Sequence, residues 1–183
     1  MTQKTITVSP GHGGKRPGAT NIDVFEKDIV LDISKKLYCK LQGIDYNVIM
    51  TRDMDYNVGL YERAEIANKN NSDIFVSIHT NSCNNSSVQG SEVLYYPGSE
   101  QGKVLANDVL YQLVQAIERP SRGLKKRPNL VVLRETNMTA ILVEVAFLSN
   151  EDEKELMLNE NNQYIIADAI KKGIDIYFDK KDD

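Results

Sequence analysis

The chain has no tryptophan and only two cysteines, two histidines and five prolines in 183 residues. Each scarcity closes off a class of protein. Two thiols, Cys39 and Cys83, cannot build the dense disulfide framework of a small secreted domain, and they form no C-x-x-C pair. They read as reduced thiols, a single bridge being the alternative. Cys83 follows His79 by four residues and is weighed as a soft metal ligand, but it enters the polar tract Asn84-Asn85-Ser86-Ser87 and reads as loop. No apolar stretch approaches the ~20 residues that span a bilayer, so no membrane span is expected. The opening stretch Met1 to Val8 lacks the apolar region of a secretion signal and reads as a strand. A net charge of −4 argues against a nucleic-acid partner, which needs a basic face. No Pro/Gly/Ser-rich linker and no internal repeat divides the chain. One domain is expected over residues 1–178, with a charged, solvated tail at 179–183, in a monomer.

What is present suits an ordinary globular core, with 41% hydrophobic and 26% charged residues. Strands are expected at Thr5–Val8, Tyr46–Met50, Asp73–Ile78, Glu92–Tyr96, Asn129–Leu133 and Ala140–Val145. Between them, apolar residues recur at helical spacing from Glu26 to near Gly43, over Leu60–Ala67, from Val104 to Ile117, and from Ile165 to Tyr177. Pro120 stops the third of these helices. The alternation predicts an α/β domain with a six-stranded, mostly parallel sheet and helices on both faces.

The two histidines sit where core packing does not explain them. His12 lies in Pro10-Gly11-His12-Gly13-Gly14, just past the first strand, and His79 opens the polar run Thr80-Asn81-Ser82 just past the third. Residues at the carboxyl ends of parallel strands converge on one edge of a sheet, where open α/β folds place their sites. The glycines around His12 form no phosphate loop, because no Gly-Lys-Ser/Thr and no G-x-G-x-x-G spacing follows. Two neutral imidazoles and one carboxylate make a three-ligand zinc site with a position left for water. Glu26 can supply that carboxylate. Asp23 and Asp28 compete for the role, and an acidic residue opening a helix is ordinary in itself.

Glu144 interrupts the apolar run Ile141-Leu142-Val143-Glu144-Val145-Ala146-Phe147. A carboxylate buried in a strand is costly unless it is paired or protonated. It reads as a catalytic base beside the histidines, or else as the partner of Arg134 in a structural ion pair. The segment Arg119 to Arg127 carries five cations, Arg119, Arg122, Lys125, Lys126 and Arg127, in an otherwise acidic protein. It is either a solvated loop or a grip for an anionic ligand.

Four stretches carry a family resemblance: Pro10 to Gly14 with Gly18-Ala19; Thr51-Arg52-Asp53 with Leu60, Arg63 and Ala67-Asn68; Ser77-Ile78-His79-Thr80-Asn81; and Leu142 to Asn150. In this order, from end to end, the chain resembles zinc-dependent N-acetylmuramoyl-L-alanine amidases, the autolysin and endolysin catalytic domains that cleave the bacterial cell wall. The resemblance implies a single α/β domain, one zinc ion held by His12, Glu26 and His79, and Glu144 as the catalytic residue. It sets Asp23 and Asp28 aside. Ser9 stands where the family usually has an aspartate, and another is usual near Arg16. These changes touch the supports of the loop rather than its ligands, so they bear on substrate fit. Tyr96-Pro97-Gly98-Ser99-Glu100 leads straight into a helix, leaving no room for the inhibitory insertion of some cell-division relatives, and an open site is expected.

The implied activity is hydrolysis of the amide between N-acetylmuramic acid and L-alanine, with peptidoglycan as partner. Asn81 and Arg134 are weaker candidates for holding substrate, as are Arg122, Lys125, Lys126 and Arg127. The competing readings are another zinc hydrolase of the same polymer, a deacetylase or carboxypeptidase, and a wall-binding module without catalysis. The expected place of action is the cell wall. With no secretion signal visible, the chain would reach it by lysis, through a missing segment, or after accumulating in the cytoplasm.

Overall fold

Alternation of apolar residues places the strands, and their parity decides what each face of the sheet carries. The computed structural model describes residues 3–43 and 45–182. Strand β1 (Lys4–Pro10) runs into a loop and a two-stranded hairpin, β2 (Thr20–Asn21) and β3 (Val24–Phe25), before helix α1 (Glu26–Leu41). Then come β4 (Tyr46–Met50), α2 (Leu60–Lys69), β5 (Ile74–Asn81), β6 (Ser91–Tyr95) and α3 (Glu100–Ile117). The chain closes with β7 (Ser121–Lys126), α4 (Val131–Arg134), β8 (Thr139–Phe147), α5 (Glu151–Leu158) and α6 (Glu160–Asp182). The six-stranded sheet has the order β4-β1-β5-β8-β6-β7. Every pairing is parallel except that of β6 with β8.

One face is thickly covered. Ile6, Val8, Ile74, Val76, Ile78, Val93, Ile141, Val143 and Val145 pack there against the apolar stripes of α1, α3 and α6. The stripe of α1, Ile29, Val30, Ile33, Leu37 and Leu41, is the spacing expected of a helix with one buried side. The other face is thinly covered, with Phe75, Leu94, Ala140 and Leu142 packing on Ala67 of α2 and on Val132 and Leu133 of α4. Since strand side chains alternate between faces, Ser9, His79, Glu144 and Glu92 belong to this second face. The thin cover leaves room for a site.

Two sequence expectations need correction. Asn129–Leu133 is not a strand: Val131–Arg134 forms one helical turn whose Val132 and Leu133 are buried on the second face. A short apolar run has no period that separates a strand from a buried turn. The sixth strand is instead the basic segment, β7, which pairs with β6 alone at the sheet edge. Edge strands tolerate Lys, Arg and Gly because only one side of the backbone is paired and charge there blunts further pairing. Nor do residues 179–182 stand apart as a tail. They continue α6, where Phe178 is buried and Lys180 Nζ meets Asp108 Oδ1 at 2.6 Å. Residue 183 lies outside the described residues.

Candidate active site

The site is assembled where β1, β5 and β8 end, around the first residue of α1. The hairpin returns the chain so that the backbone N–H of Glu26 donates to Ala19 O at 2.9 Å, which seats the Glu26 side chain under the His12 loop. One carboxylate oxygen, Oε1, meets His79 Nδ1 at 2.9 Å and accepts from Thr80 N at 3.1 Å. The other, Oε2, meets His12 Nε2 at 3.1 Å and accepts from Ala19 N at 2.8 Å. Burial alone would raise the Glu26 carboxyl, but the hydrogen bonds and charge of the two imidazoles outweigh it and hold the group well below the usual range. His79 is pushed down by burial, with Glu26 opposing, so its ring favours the neutral form that a metal ligand needs.

His12, Glu26 and His79 each offer a ligand atom, and these atoms lie within 4.8 Å of one another. The set can hold a metal ion: two imidazoles and a carboxylate suit zinc and leave a position for water. Asp23 and Asp28 are exposed and outside it. Both cysteines are free and exposed, and Cys83 Sγ lies 3.2 Å from Asn85 O, within its own loop.

Close packing rather than turn geometry alone explains two of the glycines. A Cβ on Gly11 would fall on the His79 ring, and one on Gly18 would fall on Glu26 and His12. His12 itself has φ 56°, a left-handed conformation that a non-glycine residue adopts only when its surroundings impose it. Two buried arginines do so. Arg52 donates to Gly11 O at 2.7 Å, Lys27 O at 2.8 Å and Pro10 O at 3.3 Å. Arg63 donates to His12 O at 2.6 Å, Val58 O at 3.1 Å and Pro10 O. Ser9 Oγ accepts from Arg63 at 3.1 Å and from Thr51 Oγ1 at 3.0 Å.

Glu144 stands in register between His79 on β5 and Glu92 on β6. Its Oε2 is buried and has no hydrogen-bond partner among the described residues. Burial, reinforced by the carboxylates of Glu26 and Glu92, pushes its carboxyl up to about 8, with Arg127 pulling the other way. Arg134 does not pair with it: its guanidinium meets Glu135 at 2.7 Å and it is exposed at the end of α4. Beside His12 and His79 lies a cavity of about 500 Å³, walled by Val58, Leu60, Leu130, Val131 and Leu142, with Lys15 and Arg16 on its lining. A second cavity, of about 590 Å³ between α1, α3 and α6, includes none of these residues.

A family model for N-acetylmuramoyl-L-alanine amidases matches residues 6–175. The chain belongs to that family. It is 36% identical to the Bacillus subtilis (strain 168) protein YqiI over 180 residues, 97% of this chain and 86% of that one. It is 28% identical to the germination-specific N-acetylmuramoyl-L-alanine amidase of the same organism, over 100% of this chain and 83% of the relative. Its fold superposes with a TM-score of 0.94 on the crystal structure of an N-acetylmuramoyl-L-alanine amidase from Clostridium difficile 630, at 36% identity and 98% coverage of both chains.

Within this amidase fold, sequence reasoning left several working residues without a role. Arg52 and Arg63 are legible only as motif positions, because their neighbours Thr51, Asp53, Glu62 and Glu65 are polar and their burial is a tertiary fact. Glu92 was missed altogether. It is a carboxylate in an apolar strand, as Glu144 is, and its oxygens meet Asn81 Nδ2 at 3.1 Å and Arg122 Nε at 3.6 Å. Arg122 also lies over the Phe147 ring, 4.9 Å from its centroid. Lys125 pairs in register with Leu94 and so shares the thinly covered face, while Arg127 lies just past β7, its N–H on Tyr95 O at 3.0 Å.

Proposed function

We propose that the chain hydrolyses the amide between the lactyl group of N-acetylmuramic acid and the L-alanine of a peptidoglycan stem, with one zinc ion held by His12, Glu26 and His79. The observation that carries this reading is the placement of Glu144: a carboxylate with a buried, unpartnered oxygen, in register with one residue of the His–Glu–His set. When bound, zinc lowers the pKa of a water to about 7 and polarises the scissile carbonyl. Glu144 takes the proton of the attacking water and delivers it to the leaving amine. A carboxyl that its surroundings push toward the operating pH is suited to both halves of that transfer. Glu26, held by the backbone N–H groups of Ala19 and Thr80, supplies the negative charge of the metal set. Gly11 and Gly18 keep the approach to those rings open.

Asn81, whose Nδ2 donates to Glu92 at 3.1 Å, would hydrogen-bond substrate near Glu144, a role supported by the register of Glu92 with Glu144. Arg122, Lys125, Lys126 and Arg127 extend a cationic border along β7 that draws an anionic polymer toward the thinly covered face. Arg134 would meet only a substrate that reaches past α4. The place of action is the bacterial cell wall, where the polymer is.

Digestion of purified peptidoglycan, followed by mass spectrometry and end-group analysis, tests the reading. New N-terminal alanine, with neither free acetate nor free D-alanine, is the expected product pattern. Acetate would make the chain a deacetylase and D-alanine a carboxypeptidase, while binding without any product would leave a wall-binding module. Lysis that survives complete removal of zinc would overturn the metal assignment.

A further inference from the structure

We infer that the cavity beside His12 and His79 receives the peptide arm of the substrate, and that Lys15 and Arg16 bind the free carboxylate of its second residue. The inference rests on the amidase reading and adds a substrate preference to it. A volume of about 500 Å³ is within the range of pockets that enclose small ligands. Its walls decide which arm enters. Val58, Leu60, Leu130 and Val131 offer no partners for sugar hydroxyls, and of the neutral and buried polar groups on the lining, Arg63 and Ser77 are already committed to the backbone carbonyls of Val58, His12 and Ser9, which leaves Asn57. The methyl group of alanine and the aliphatic carbons of a short peptide have no hydrogen bonds to lose there, and its few amide groups are fewer than the hydroxyls of a sugar. The polar groups a glycan needs, Asn81, Glu92 and Arg122, are carried by β5, β6 and β7 and take no part in the lining.

The cations are placed for a carboxylate. Lys15 and Arg16 are exposed, line the cavity and pair with no carboxylate among the described residues. Their backbone is pinned. Gly13 N donates to Arg16 O at 3.0 Å and Arg16 N to Gly13 O at 3.1 Å. Gly14 N donates to Asp55 Oδ1 at 2.7 Å, and Lys27 Nζ reaches both Gly14 O at 3.1 Å and Asp55 Oδ2 at 2.6 Å. Capture of an anion therefore orders two side chains rather than a loop, which limits its entropic cost. In peptidoglycan stems the second residue is a D-glutamate whose α-carboxyl is free in some walls and a carboxamide in others. Two cations at the cavity favour the free acid.

The test uses the product dipeptides, L-alanyl-D-isoglutamate and L-alanyl-D-isoglutamine, titrated calorimetrically into the zinc-loaded protein at low ionic strength. The acid is expected to bind about three- to tenfold more tightly than the amide, the range for two exposed ion pairs. The Lys15→Ala/Arg16→Ala protein should bring that ratio to about one, and Lys15→Glu/Arg16→Glu should take it below one, by the same exposed ion-pair reasoning. Equal binding of the two dipeptides to the unaltered protein, no binding of either, or a ratio unchanged in both variants would overturn the inference. Peptidoglycan digests separate the two readings. Alanine ends released without a dipeptide preference would sink the subsite alone, and a preference without alanine ends would sink the amidase chemistry alone.

Discussion

Replacing Glu144 by Gln should cost the enzyme its chemistry and make the metal-free protein more tolerant of alkali. A carboxyl whose folded value lies above its unfolded value binds its proton more tightly in the folded state. It therefore destabilises the fold progressively as the pH rises through the interval between the two values, and by a constant amount above it. For Glu144 that interval runs from 4.5 to about 8. At about 1.36 kcal/mol per pH unit the full span is worth roughly 4–5 kcal/mol, and its share between about pH 5 and pH 8 is roughly 3–4 kcal/mol. The Glu144 side chain is half-buried, so solvent reaching it trims the expected effect to about 2–3 kcal/mol. The amide of Gln has the same value at both pH extremes, and its own burial cost cancels in the comparison. Urea unfolding of chelated wild type and Glu144→Gln at about pH 5 and about pH 8 measures the double difference, with all other titrating groups common to both proteins. Parallel pH profiles would refute the electrostatic account of Glu144. Reloaded with zinc, the same variant should bind metal in full and lose about 10²–10⁴ in turnover, the usual cost of a missing general base. Near-normal turnover, or loss of metal, would remove Glu144 from the role assigned to it.

His79→Ala should lose the metal as well as the activity, because a three-ligand site reduced to two does not hold zinc tightly; stoichiometric zinc by elemental analysis would make His79 a structural residue. Gly18→Ala places a Cβ against Glu26 and His12 at φ 75°, so it should lower stability by about 1–3 kcal/mol and weaken zinc in competition with a chelator, whereas an unchanged affinity would show that the ligands do not depend on that packing. Neutralising Arg122, Lys125, Lys126 and Arg127 together should raise the apparent Michaelis constant on cell walls at low salt, and the difference should shrink once the Debye length falls to about 8 Å. An unchanged constant at low ionic strength would reduce the segment to an ordinary edge strand.

The sequence makes the chemistry of the site more legible than its frame. His12 and His79 are readable because each stands at the junction of an apolar run and a polar one, and parallel strands bring such junctions to one edge. Glu144 is readable because a carboxylate inside an apolar strand demands a reason. Periodicity could not rank Glu26 over Asp23 and Asp28. What distinguishes Glu26 is its place as the first residue of α1, where the hairpin presses its side chain between both imidazoles, and that is a tertiary fact. The exchange of strand and helix around Pro128 has a similar origin. Val131-Val132-Leu133 is apolar enough for either element, and the face left open by α2 needed a short plug rather than another strand. The basic stretch before it lacks every compositional mark of a strand except tolerance of the edge position.

The strained loop and the two buried arginines form one device. His12 points its ring at Glu26 only while its backbone holds φ 56°, a conformation that costs roughly 1–3 kcal/mol. Short strong hydrogen bonds to the carbonyls of Pro10, Gly11 and His12 can offset such a cost, and guanidinium groups present the five donors needed to collect them from successive residues. Lysine could reach only as a point charge. No carboxylate forms an ion pair with Arg52 or Arg63 among the described residues, so their charge is left to act on the site. Its effect has a definite sign. Burial is the larger influence that lowers His79, and the charges of His12 and, after it, Arg63 lower it further, against the pull of Glu26. An imidazolium cannot ligate a metal. Arg63, which helps shape the loop, therefore also helps keep His79 in the one protonation state in which it can act as a ligand.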